Sequence, residues 1–176
     1  MYSKVSKNDF LSLEISFICK MYSREELKQL QLEFWHLFKK RCQTHPSFNS
    51  SNLKWVLNQT KIKNVVLRFE VGRKNAKVMI ELQHKSESRR LKAYEILEKY
   101  KVIVEEGFKN GLNWEFYHQR EDNKQEVCRI STTLENVDLH RQDHWTEIYD
   151  FFIINMLQLE TNFLEVSDIL REELRG

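Results

Sequence analysis

Apolar and polar positions alternate between residues 65 and 84, in the stretch VVLRFEVGRKNAKVMIELQH. Apolar residues take every second position on both sides of a polar break at 72–75, namely Val65, Leu67, Phe69 and Val71 before it and Ala76, Val78, Ile80 and Leu82 after it. Period two around a Gly-containing break predicts a β-hairpin with one buried face. Pairing Val71 with Ala76 puts all eight apolar residues on that face. We expect this register because a slip by one residue would expose the whole set.

Apolar residues spaced by three and four predict two helices that flank the hairpin in the chain. The first is expected over about 24–42, where Ser23 and Glu26 fit a capping box. The second is expected over about 87–106, with Gly107 in the position after its C-terminal cap.

The C-terminal part of the chain predicts two more strands and a long helix. Alternation over 112–118 and over 128–134 indicates strands joined by the polar turn 119–126. After Asp143, a predicted N-cap, apolar residues recur at three and four as far as Leu170. The expected fold class is α+β, a two-layer domain in which an antiparallel sheet of about four strands packs against long helices.

The chain length fits one domain over residues 1–176. Residues 1–23 are an N-terminal extension whose pattern leaves strand and helix open. Trp55, in the polar connection 44–60, is interpreted as a plug over the core and alternatively as a binding aromatic.

Overall charge and cysteine content indicate more about the cellular compartment than about the function. The 28 basic and 26 acidic residues nearly balance, so net charge alone implies no nucleic-acid partner. Cys19, Cys42 and Cys128 are odd in number and form no CxxC pair, which favours a reducing compartment. No signal peptide is recognisable, and no apolar run approaches the ~20 residues that span a bilayer. We therefore expect a soluble cytoplasmic protein with no membrane partner.

Three short motifs carry a family resemblance: Glu33-Phe34-Trp35, the run Ile80-Glu81-Leu82-Gln83-His84-Lys85, and Asp143-His144-Trp145. With the order of elements, they resemble an uncharacterised family of prokaryotic domains over roughly residues 24–170. Some members of that family lie C-terminal to restriction-endonuclease-like domains, for which this chain leaves no room. The resemblance implies a bacterial protein connected with nucleic-acid or defence systems.

The hairpin carries residue types that a Mg²⁺-dependent nuclease uses. Glu70 on one strand and Glu81 with Gln83 on the next mimic the restriction-nuclease spacing, with Lys85 nearby. In the expected register, however, the two carboxylates lie four residues apart, about 13 Å at ~3.3 Å per residue. An even slip of the register or a longer loop would restore the nuclease hypothesis. The alternative is a set of solvated charges with a Glu70–Lys77 pair across the strands. Mg²⁺ is expected only under the nuclease hypothesis, and no other cofactor is expected.

Charge is unevenly distributed along the chain. Residues 61–92 hold ten basic residues against three acidic ones, a net +7, whereas residues 143–176 hold eight acidic against two basic, a net −6. A basic hairpin followed by a basic helical turn could track phosphates. The alternative is an ordinary solvated face. The candidate nucleic-acid contacts are Arg68, Arg73, Lys74, Lys77, Arg89 and Arg90.

The histidines give weaker evidence for a functional site than the charged residues of the hairpin. His140 and His144 have a zinc-compatible spacing of four, but with Asp143 as the cap His140 falls outside the helix, and we expect no metal site. His84 and Lys85 follow the second strand, where they could serve acid–base chemistry. The alternative is that His84 is a surface residue.

Three functional hypotheses follow from the sequence. The first is a non-enzymatic binding or assembly module, dimeric through the last helix, where Phe151 and Leu157 form a second apolar edge. The second is a divergent Mg²⁺ nuclease that uses Glu70, Glu81 and Gln83. The third is a simple DNA-binding module that uses the basic block.

Overall fold

The computed structural model describes residues 23–46 and 60–175. Trp55 and the ambiguous segment 8–21 lie outside the described residues. The elements, in chain order, are α1 (Arg24–Thr44), β1 (Val65–Val71), β2 (Asn75–Leu82), α2 (Glu87–Lys99), α3 (Lys101–Val104), β3 (Asn113–Gln119), β4 (Glu126–Glu135) and α4 (Trp145–Arg175).

The predicted start of the first helix is confirmed. Ser23 Oγ accepts a hydrogen bond from the Glu26 amide at 3.2 Å, and the Ser23 amide donates to Glu26 Oε2 at 2.7 Å. This reciprocal capping box satisfies two of the amide groups that a helix start leaves without partners. Leu30, Phe34 and Phe38 then form the buried face of α1.

The hairpin register is also confirmed. β1 and β2 pair antiparallel from Val71 opposite Ala76 to Val65 opposite Leu82, with all the apolar positions on one face. β4 pairs with the other edge of β2, and β3 with β4, which gives the strand order β1-β2-β4-β3. The four-stranded antiparallel sheet and its helices confirm the predicted α+β class.

The core lies between the apolar sheet face and the helices. Val78 and Ile80 are fully buried on β2, and the same is true of Ile130 on β4. Near β1 the core is aromatic, because the Phe69 ring lies 4.7 Å from Phe152 of α4 and 5.2 Å from Phe38 of α1.

The second predicted helix is broken. α2 ends at Lys99, and Tyr100 leaves helical geometry (φ −105°, ψ 22°) before the single turn of α3. Gly107 has φ +79°, the left-handed conformation expected of a residue after a helix end. From α4, Asn162 Nδ2 donates to the carbonyls of Val104 (3.0 Å) and Glu106 (2.7 Å) and so binds the end of α3.

The last helix starts later than predicted. Asp143 lies in a 3₁₀ turn over Gln142–His144, and its carboxylate pairs with Arg141 at 2.7 Å instead of capping the helix. α4 then runs for 31 residues, about 46 Å at ~1.5 Å per residue. Phe151 and Leu157, expected at an interface, are partly buried against the core of their own chain.

Strand β3 is less regular than the sequence pattern predicts. The alternation in β3 is interrupted by a register shift between Glu115 and His118, which leaves the Phe116 side chain 45% exposed.

Among the helices of the described ranges, none has the length and apolar character needed to cross a membrane.

Candidate functional site

Glu81 lies on the sheet face opposite the helices, yet it is fully buried. Its Oε2 accepts from Arg129 Nε at 2.9 Å and its Oε1 from Gln83 Nε2 at 2.7 Å. Arg68 Nη1 (3.3 Å) and Arg120 Nη1 (3.4 Å) also reach Oε1. The expected solvated carboxylate is therefore wrong for Glu81, because three guanidinium groups converge on it.

Glu70 joins the same network. Its Oε2 lies 3.1 Å from Arg129 Nη2, so the two candidate carboxylates meet on one guanidinium. The 13 Å spacing describes the backbone, whereas the long Arg129 side chain contacts both carboxylates. Lys77 stands opposite Glu70 in the register, as predicted, but Glu70 pairs with Arg129. A divalent cation shared by Glu70 and Glu81 would have to displace this guanidinium.

His140 and His144, whose spacing suits zinc, instead make hydrogen bonds within a turn. His144 Nδ1 accepts from the Asp138 amide at 3.0 Å, and the His140 amide donates to Asp138 Oδ1 at 2.8 Å. Within residues 23–46 and 60–175, no three His, Cys, Asp or Glu side chains form a group able to hold a metal ion.

The basic candidate residues do not form one surface. Arg90 is buried, with Nη1 on the His84 carbonyl (3.0 Å) and Nη2 on Glu126 (3.2 Å), and Arg68 is held by Glu81. Arg73 and Lys74 are exposed at the hairpin turn, and Lys77 lies beside them on β2. Arg89 instead lies near the other end of the hairpin, roughly 23 Å away along seven residues of strand.

At that other end is a concave site, here named the basic cleft, of about 720 Å³. It lies between the loop 60–64, the segment after β2, the start of α2 and the end of α4. Among the described residues, its lining contains no carboxylate. Its cationic side chains are Lys61, Lys63, Lys85, Arg89, Arg171 and Arg175.

Among the described residues, most of the cations in the basic cleft have no ion-pair partner. Arg171 pairs with Asp168, and Arg175 with Glu172 at 2.8 Å, one helical turn apart in each case. The other four cations have no ion-pair partner within the described part of the chain, namely Lys61, Lys63, Lys85 and Arg89. Uncompensated cations gathered in a concave site give a positive potential that attracts anions.

One wall of the basic cleft is a tightly held loop. Lys61 (φ 58°) and Asn64 (φ 64°) both adopt the left-handed conformation, which asparagine tolerates but which costs a residue such as lysine roughly 1–2 kcal/mol. Hydrogen bonds hold the loop in place, from Thr60 Oγ1 to the Val65 carbonyl (2.6 Å) and from the Gln83 amide to the Asn64 carbonyl (2.7 Å). The lysines on this wall are therefore presented by a fixed backbone.

His84 lines the basic cleft although only 7% of the residue is exposed. Its Nδ1 is buried and has no hydrogen-bond partner among the described residues. Burial, and then the charges of Arg89 and Arg90, lower the pKa of His84, so its ring is neutral near pH 7. The expectation that His84 is a surface residue is wrong.

The start of α2 also faces this cleft. Ser86, the N-cap residue, makes no capping hydrogen bond with its side chain, and its hydroxyl lies 2.9 Å from that of Ser88. The first-turn amides of α2 therefore receive no acceptor from the N-cap side chain.

Sequence reasoning missed two cationic side chains of the basic cleft. Arg171 and Arg175 belong to a segment judged acidic as a whole, although their spacing of four places them on one face of α4. Their spacing of four near the end of a predicted helix is the feature of the sequence that could have identified them.

The chain was compared with known protein families, curated proteins and solved structures. The search of curated proteins and the search of solved structures found no match. A family description matches residues 30–167, well over half of the chain. The expectation of an uncharacterised domain family is confirmed, whereas its prokaryotic origin and its link to restriction endonucleases stay predictions. The chain belongs to the family described as Domain of unknown function (DUF4268).

Proposed function

We propose that this protein is a non-enzymatic binding module that holds nucleic acid in the basic cleft. The observation that carries the proposal is the gathering of six cationic side chains, four of them without an ion-pair partner in the described part of the chain, around a cleft with no described carboxylate. Phosphate groups are the anions that such a set binds most readily, through charge and through hydrogen bonds from lysine and arginine.

The nuclease hypothesis receives less support. Glu81 accepts from three guanidinium groups, and Glu70 shares one of them, so both carboxylates are already neutralised by cations of the protein. A Mg²⁺-dependent cleavage assay separates the hypotheses. We expect no cleavage, and cleavage by the native protein that Glu81→Gln abolishes would contradict the proposal.

The direct test compares two double variants by the affinity for a short labelled oligonucleotide. Lys63→Ala with Lys85→Ala removes two cations of the basic cleft. Lys74→Ala with Lys77→Ala removes the same charge near the hairpin turn. Losing two phosphate contacts should weaken binding roughly 10- to 30-fold at about 0.1 M salt. We expect that loss from the first variant and a change below about twofold from the second. A larger loss of affinity in the second variant than in the first would indicate that nucleic acid binds at the hairpin turn instead.

Assembly is the second part of the proposal. We infer a homodimer through α4, in a bacterial cytoplasm and in connection with nucleic-acid or defence systems. The supporting observation is that Ile154 and Leu164 on α4 are 64% and 59% exposed, so this helix presents apolar side chains for a second copy to cover.

A further inference from the structure

The start of α2 has the features of a phosphate site. The amides of a first helical turn point outwards with a partial positive charge, which favours a bound anion. α2 is 13 residues long, and its N-cap Ser86 offers those amides no side-chain acceptor. Glu87, the acidic residue of this turn, is exposed and does not line the basic cleft.

An independent observation at the same place also indicates a ligand. His84 is more than nine-tenths buried, lines the basic cleft, and carries a buried Nδ1 without a hydrogen-bond partner among the described residues. Buried polar atoms nearly always have a partner in native proteins, either protein, ordered water or a bound group. His84 therefore places a polar atom without a described partner beside the start of α2.

The cations of the basic cleft come from three segments of the chain. Lys85 and Arg89 flank the start of α2, Lys61 and Lys63 lie on the fixed loop opposite, and Arg171 comes from the end of α4. Several cationic donors that line one cleft suit a group with more than one negative charge.

The number of cations in the basic cleft favours the end of a strand over its middle. The cleft volume of about 720 Å³ is that of a small-ligand site, in the usual range of about 300–1,000 Å³. A terminal phosphate has three free oxygens and, with a second pKa near 6, close to two negative charges at neutral pH. A phosphate within the strand has two free oxygens and one charge, so it would use fewer of these donors.

We propose that the basic cleft binds the terminal phosphate of a nucleic-acid strand, with the phosphate oxygens at the start of α2 between Lys85, Arg89 and the loop lysines. This inference rests on the nucleic-acid binding proposed above and specifies which part of the strand is recognised.

The experiment uses the full chain and one labelled single strand prepared with a 5′-phosphate, with a 3′-phosphate, or with hydroxyls at both ends. Binding is followed by fluorescence anisotropy. We expect at least one phosphorylated form to bind about tenfold more tightly than the hydroxyl form, because it adds a group with three free oxygens and close to two negative charges at the start of α2.

The matched variants are Lys85→Gln and Lys92→Gln. Both lysines are exposed, and Lys92 lies on α2 outside the basic cleft, so the two changes remove equal charge without disturbing the core. Lys85→Gln should reduce the preference for the phosphorylated end to about twofold or less, and Lys92→Gln should retain it. Circular dichroism establishes that both variants fold.

The outcomes separate this inference from the function on which it rests. Equal binding of the three forms would overturn the terminal-phosphate site and leave nucleic-acid binding intact. No binding of any form would overturn both. A nucleoside monophosphate or inorganic phosphate that competes as strongly as the strand would make the ligand a small phosphate compound and overturn strand recognition. A preference that Lys92→Gln reduces as much as Lys85→Gln would also count against the inference.

Discussion

Glu81 of β2 and Arg129 of β4 stand directly opposite each other, and the guanidinium Nε donates to the carboxylate at 2.9 Å with both side chains buried. Charges taken out of water in this way require close partners. Arg129 is shared with Glu70, and Glu81 with Arg68 and Arg120, so a connected ionic network extends over the second face of the sheet.

Glu81→Gln is expected to lower the free energy of unfolding by about 3–5 kcal/mol. The substitution leaves buried guanidinium groups without their common carboxylate, and breaking a buried ion pair from one side costs about that much. Urea denaturation measures the change. The control is Glu95→Gln on the exposed side of α2, which should change stability by less than about 0.5 kcal/mol. Equal effects of the two substitutions would show that the network contributes little.

His84 should make stability depend on pH. Its pKa is lowered in the folded protein by burial and by Arg89 and Arg90, so below its ordinary pKa the unfolded chain binds more protons than the folded protein. The free energy of unfolding should therefore fall as the pH drops from neutral through about 6.5 towards the folded-state pKa. Denaturation at about pH 7.5 and about pH 5.5 measures this loss.

His84→Gln removes the ionisable ring and should make that loss smaller. His36→Gln, on the exposed side of α1, is the matched control and should leave the loss unchanged. If His84→Gln loses as much stability on acidification as the native protein, another group is responsible for the pH dependence.

Asn162 joins the long helix to the end of α3. Asn162→Ala removes the hydrogen bonds to the Val104 and Glu106 carbonyls, and it should destabilise the protein by roughly 1–3 kcal/mol. Thr161→Ala, one position along on the exposed side, should cost much less. The difference between the two midpoints of thermal unfolding tests the prediction, and it would fail if both variants melted together.

The predicted homodimer has a defined surface on α4. Ile154→Glu with Leu164→Glu places charges on the two most exposed apolar side chains of that helix. Light scattering over a range of concentrations should give a dimer for the native chain and a monomer for the variant. A native chain that stays monomeric throughout would exclude this interface.

The sequence was sufficient for the parts of the fold that depend on local pattern. The register of Val71 opposite Ala76 follows from period-two alternation and the short turn, because a slip by one residue would expose the whole apolar set. The capping box at Ser23 is similarly local. The break at Tyr100 was missed because the apolar spacing continues through it.

The candidate site depends on contacts between distant segments, which single-sequence patterns do not contain. Arg120 and Arg129 reach Glu81 from 39 and 48 residues away, so the ionic network could not be predicted from β2 alone. The basic cleft joins Lys61 to Arg171 across more than a hundred residues of chain. The basic block was recognised in the sequence, but only the fold divides it between the hairpin turn and the cleft.

The most direct test of the account is the salt dependence of nucleic-acid binding. The logarithm of the association constant should fall linearly with the logarithm of salt concentration, with about 0.7 units of slope for each single-strand phosphate neutralised. Lys63→Ala with Lys85→Ala should therefore reduce the slope by about 1.4, while Lys74→Ala with Lys77→Ala should leave it within about 0.3 of the native value. A native slope near zero, or an unchanged slope in the cleft variant, would contradict the proposal that this cleft holds the phosphates.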